Sequence, residues 1–228
     1  MIELIFAIVV IGIVLMSAPN LLKTATESGY VAIQQEAINE AATHLNIVMS
    51  YHWDEQDTDP RFIPPILKVN VENTELEEFN NTGRRMGTPA KSLRSFVRAD
   101  GVVLAASANL GLDAGESKGD EDDVDDFNGE DYSLTLVQNA AADYVEKTTI
   151  NIRTSLAYIG ASPTSSTFQQ NVIAFNPAFS ASAGDTTNIK RIRVVLTSTS
   201  GENELSKNII LNAFVCNIGA TQLVERDF

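Results

Sequence analysis

Residues 1–23 read MIELIFAIVVIGIVLMSAPNLLK, and from Leu4 to Ala18 they carry no charge. The run is apolar on every helical face rather than on one stripe, the pattern of a helix surrounded by lipid or by other helices. At about 1.5 Å per residue, Met1 to Leu22 is long enough to cross a bilayer. A cleaved signal peptide is the first alternative, but the run has no basic n-region, and Glu3 stands where positive charge is usual. A single-span anchor is the second, and composition leaves it open. A carboxylate in an apolar segment is costly in lipid unless it finds a partner. The α-amino group of a neighbouring copy is the natural one, and such pairing would favour one axial register between subunits. In a lone anchor, Glu3 would sit among the headgroups.

Gly12 and Pro19 disfavour helix by roughly 1 and 3 kcal/mol relative to alanine. Pro19 also removes a backbone hydrogen bond from its turn. Residues 13–18 between them are expected to give up helical structure at little cost, with a simple kink at Pro19 as the alternative.

Beyond Lys23 the pattern changes. Ile33, Ala37, Ala41, Leu45, Val48 and Met49 recur at spacings of three and four, with polar residues opposite, which predicts an amphipathic helix ending near His52. From residue 63 onward the signals are those of strands: 66–71, 102–107, 132–138, 148–159, 188–199 and 205–218, the last two separated by a Ser-Gly-Glu-Asn turn. The chain therefore divides into a hydrophobic helix over 1–23 surrounded by lipid (a transmembrane segment) or by other helices, its amphipathic continuation over 24–53 and a β-rich head over 54–228. The expected fold class is α+β, a long N-terminal helix packed on an antiparallel sheet.

The formal net charge of −14 is unevenly spread, because residues 113–131 hold ten acidic residues against the single Lys118. Nine of the fourteen excess charges thus lie in one segment, and the remainder is ordinary for a soluble surface. This balance argues against nucleic acid as a partner, since phosphate recognition needs clustered lysine and arginine. The one cysteine, Cys216, lies in the apolar stretch AFVCNI and is expected to be a buried, inert thiol.

The segment IELIFAIVVIGIVL resembles the N-terminal helix of type IV pilins and type II secretion pseudopilins. That resemblance implies a prepilin peptidase that removes a short basic leader, methylation of the new N-terminal residue, and a docking role for Glu3, which matches the family's glutamate. Family members usually have four residues between the cleavage point and that glutamate. Only Met1 and Ile2 precede it here, so either the sequence begins two residues late or Met1 is an assumed start. The stretch between Gly12 and Pro19 corresponds to one that is often extended in assembled pili. YHWDE at 51–55, DDVDDFNGEDYS at 122–133 and KRIRVVLTS at 190–198 look like stretches of minor pilins of the mannose-sensitive haemagglutinin type. The implied protein is a structural subunit rather than an enzyme. Its partners would be copies of itself, the assembly machinery and the inner membrane before export to an extracellular filament. A periplasmic pseudopilin and a membrane-anchored binding domain that never polymerises are the alternatives.

The acidic segment is the candidate metal site. Asp120, Asp122, Asp123, Asp125, Asp126 and Asn128 crowd oxygen ligands into a short loop, and calcium takes six to eight oxygens in flexible geometry. The spacing is not that of an EF-hand, and the alternative is a solvated acidic loop. Calcium in a head loop also has precedent among pseudopilins. The two histidines, His44 and His52, form no zinc pattern. No nucleophile elbow or other catalytic signature is present.

Overall fold

The computed structural model describes residues 2–70, 95–138, 146–160, 183–198 and 205–220. One helix, α1 (Ile2–Val48), precedes four strands: β1 (Asp131–Gln138), β2 (Glu146–Tyr158), β3 (Ile189–Ser198) and β4 (Ile209–Cys216). The strands form an antiparallel sheet in sequential order β1-β2-β3-β4, and the helix packs on it, an α+β layout. Single 3-10 turns occur at Glu55–Asp57 and Asp125–Phe127.

α1 is continuous through Gly12 and Pro19. The free chain therefore keeps residues 13–18 helical, because one proline removes one bond from a long ladder flanked by Leu15, Met16 and Ala18. The helix stops at Val48, four residues short of the expected end, and Met49 is exposed rather than part of the buried stripe. Of the six strands expected, four form. The stretches at 66–71 and 102–107 supply isolated bridges instead, Lys68 to Ala105 and Val97 to Val103. Pro64 and Pro65 lie just before the first of them and lack the N–H groups a ladder needs. The Ser-Gly-Glu-Asn turn at 200–203 lies outside the described residues, as does Met1.

The chain forms two compact units. The first holds the helix to Ala42 with residues 132–152 and 195–210. Its helical segment is exposed on every side through Thr26, including Ile2, Leu4, Ile5, Phe6, Leu15 and Met16. Farther along, Ile33, Ala37 and Ala41 turn inward and are buried, and a shallow cleft brings Ala37 beside Ile150, Leu196 and Leu205. Two alanines in that stripe let the helix approach the strands closely.

The second unit holds Thr43–Asp131, Arg153–Val194 and Leu211–Phe228. Trp53, Leu67, Val69 and Tyr158 form a buried cluster, with Leu104, Ala106, Leu110 and Val215 packed around it. Asn217, 2% exposed, serves as a polar clip: its Oδ1 accepts from Leu67 N at 3.0 Å, and its Nδ2 donates to Leu67 O at 2.6 Å. That side chain meets both polar groups of a backbone segment that no sheet partner satisfies. Gly219 sits nearby with φ +60°, where a Cβ would come within 3.1 Å of Pro64 O, so only glycine fits the close approach.

Candidate functional site

The second unit is built around a buried lysine. β3 alternates, and Lys190 falls on the same phase as Ile192, Val194 and Leu196, all buried. Its ammonium is therefore carried to the interior, where Lys190 is 0% exposed. Nζ donates to Asp125 Oδ2 at 2.6 Å, to Trp53 O at 2.6 Å and to Asp54 Oδ2 at 3.1 Å. It also lies 4.0 Å from the Trp53 ring centroid and 5.2 Å from that of Tyr158. Three donors thus find three acceptors inside an aromatic box, the satisfaction a buried cation requires.

Asp54 is held on both oxygens. Oδ1 accepts from Gln56 N at 3.2 Å, capping the first 3-10 turn, while Oδ2 accepts from Ser107 N at 2.9 Å as well as from Lys190. Tyr158 Oη donates to Ser107 O at 2.5 Å, and burial pushes the phenol well above its usual range. Asp125 is different: Oδ2 holds the lysine, and Oδ1 is buried with no hydrogen-bond partner. Burial raises the Asp125 carboxyl to about 7, outweighing the pull of Lys190.

The remaining acidic residues do not form one open bowl of oxygens. Asp123 Oδ1 accepts from the N–H groups of Asp125 and Asp126, at 2.5 and 3.2 Å. Asp126 Oδ2 accepts from Asp122 N and Asp123 N at 3.0 and 3.2 Å. Burial, with Asp125 and Asp126 as neighbouring charges, raises Asp123 to about 8. Asn128 Nδ2 donates to Leu110 O at 3.1 Å and its Oδ1 accepts from Leu156 N at 2.9 Å, which ties the loop to β2. Asp120 is exposed.

Of the expected calcium ligands, Asp122 meets Glu55 from beyond the helix and Glu116 from the acidic segment itself. Oxygens of Glu55, Glu116 and Asp122 all lie within 4.8 Å of one another, the one such group among the described residues. Burial first, then the charge of Asp122, raises Glu55 to about 7. Glu116 is also raised: burial and the charges of Asp126 and Asp122 prevail over the lowering hydrogen bond from Asp113 N–H. Hard oxygen donors of this kind suit a divalent cation, with water filling the remaining positions. Sequence spacing could not find Glu55 or Glu116 as a pair, because the first follows the helix and the second lies within the acidic loop.

The other singled-out residues are placed as follows. His44 Nε2 lies 2.8 Å from Thr154 Oγ1 and 3.7 Å from Glu130, and its ring meets Phe127 edge-on. His52 Nδ1 is 3.4 Å from Asp57, whose carboxyl burial raises to about 6 against the pull of that histidine. Cys216 is exposed, contrary to expectation, because β4 is at best half-buried and its last residue falls on the outward phase. Glu3 is exposed in the first turn of α1, where its charge complements the helix dipole.

No protein-family model, curated protein or solved structure matches this chain.

Proposed function

We propose that this chain is a structural subunit of a type IV pilus-like filament, held in the bacterial inner membrane before assembly and displayed outside the cell afterwards. The division of α1 carries the reading. Its window of membrane-spanning length and hydropathy is 0% buried, while the residues beyond it turn a narrow apolar stripe onto the head. An apolar rod bare on all sides must be covered. Lipid covers it before assembly, and helices of further copies cover it in a filament. Glu3 at its outer end supplies a charge that selects one register among otherwise similar apolar contacts. The assembly machinery and a prepilin peptidase are the accompanying partners, and the product is a polymer that serves adhesion or motility.

The test is to shear surface material from cells that produce the chain and label it with an antibody against residues of the head. Labelled filaments are the expected result. Retention of the chain in the periplasm as short polymers would support a secretion pseudopilin instead. Recovery only as a membrane-bound monomer would overturn assembly altogether.

A further inference from the structure

Lys190, Asp125 and Asp54 make an arrangement that a simple ion pair does not explain. All three are almost wholly removed from water, at 0%, 3% and 0% exposure. Two carboxylates face one ammonium, so charge does not balance within the group, and Asp125 Oδ1 is orphaned. A buried ion pair of this kind gains little over a neutral arrangement once desolvation is counted. The groups are, however, placed for a reaction between them. Nζ is 2.6 Å from Asp125 Oδ2, and the second carboxylate lies 3.1 Å from the same nitrogen. Asp54 is fixed there by Gln56 N and Ser107 N, and Trp53 and Tyr158 wall the nitrogen with aromatic rings.

We propose that Lys190 Nζ and Asp125 Cγ join in an intramolecular amide bond, with Asp54 as the proton relay. Within the short hydrogen bond the ammonium passes its proton to Asp125, which leaves a neutral amine beside a neutral carboxylic acid. Removal of water favours this uncharged pair. The amine attacks Cγ, forming the C–N bond. Asp54 takes a proton from Nζ and delivers it to the departing hydroxyl, and the C–O bond breaks with release of one water. Atoms balance without an oxidant, a nucleotide or a metal, and no net electron transfer occurs. Fixed proximity replaces chemical activation of the acid, since the reactants cannot diffuse apart. Asp125 is the acyl partner because one of its oxygens is unheld, whereas both oxygens of Asp54 accept backbone N–H groups. The bond would tie the acidic loop to β3 across 65 residues of sequence, a covalent staple in a chain whose one cysteine cannot form an internal disulfide.

This inference stands on the head alone and does not depend on the filament reading. The full-length wild-type chain, purified in detergent and denatured, is digested and its peptides are weighed and fragmented. The expected result is a branched peptide joining Lys190 to Asp125, lighter by one water than its two components, with no tryptic cleavage after Lys190. Unlinked peptides at full mass would overturn the proposal, as would a link from Lys190 to Asp54. A Lys190→Arg chain should give only unlinked peptides. Asp54→Asn should keep the far-ultraviolet circular dichroism of the wild type and lose the link; a linked Asp54→Asn chain would overturn the relay role. Should that variant fail to fold, the wild-type digest still decides whether the bond exists.

Discussion

Lys190 Nζ lies 2.6 Å from Asp125 Oδ2, and neither residue is more than 3% exposed. Asp54 completes the group, so the three stretches 51–55, 122–133 and 190–198 meet at one point in the second unit. Each contributes one charged residue to it. These segments are far apart in sequence, yet they are the packing partners of one another.

Replacing Lys190 by methionine should destabilise the head by about 3–5 kcal/mol, because two buried carboxylates then lose their counter-charge. Chemical denaturation of the detergent-solubilised chain measures it. A further Asp125→Leu change in the same chain should recover part of the loss, since the carboxylate left without a partner is removed. A single-variant effect below about 1 kcal/mol would contradict the account of this site.

Stability should rise as the pH falls from about 8 toward 5. Asp123 and Asp125 keep their protons to about 8 and 7 when folded, whereas the unfolded chain releases them near the ordinary carboxylate value. Folding therefore takes up protons across that window, and raising the pH favours the unfolded state. Asp59 acts in the opposite sense. Its hydrogen bonds from Arg61 hold it to about 2, so its small, exposed contribution is lost only as the pH falls below its ordinary value. If Asp125 is consumed in the amide, Asp123 still supplies the dependence, in the same direction as Asp57 and Glu55, which are raised to about 6 and 7. Thermal melts in buffers of equal ionic strength check the direction, and a midpoint higher at pH 8 than at pH 5 would contradict it.

Millimolar calcium should raise the melting midpoint at pH 8, above the value of about 7 to which Glu55 is raised beside Glu116 and Asp122. Magnesium should do less, because it demands a tighter octahedral shell. Glu116→Gln should abolish most of the calcium response while leaving the midpoint without calcium unchanged or slightly higher. No calcium-dependent shift in the wild type would remove the case for a cation there.

Much of the fold was legible in the residue pattern. The change from an all-round apolar run to a stripe of Ile33, Ala37, Ala41 and Val48 separates the bare and the packed parts of α1, and the structure buries those four residues. The strand signals of 188–199 and 205–218 find β3 and β4. The stretches 66–71 and 102–107 read as strands because their residues are β-branched and apolar, but residues 66–70 and 102–107 are irregular, with Ile66, Leu67 and Val69 buried, Val102 and Val103 exposed, and backbone groups met by Asn217 and single bridges. The site was less legible. Acidic density suggested surface and metal, whereas burial separates the carboxylates: Asp123 and Asp126 serve backbone N–H groups, Asp125 serves Lys190, and Asp122 meets Glu55 and Glu116. One signal was present. Lys190 shares the inward phase of Ile192 and Val194, and a lysine in that register requires a buried acidic partner.

The central claim is that α1 assembles copies of this chain into a filament with Glu3 selecting the register. The most direct measurement is the amount of this chain in sheared surface filaments from cells that produce Glu3→Ala at wild-type membrane levels. The account predicts a strong reduction, on the order of tenfold or more, as a register preference of about 1.4 kcal/mol or greater would give. Filaments containing the variant at undiminished levels would contradict it.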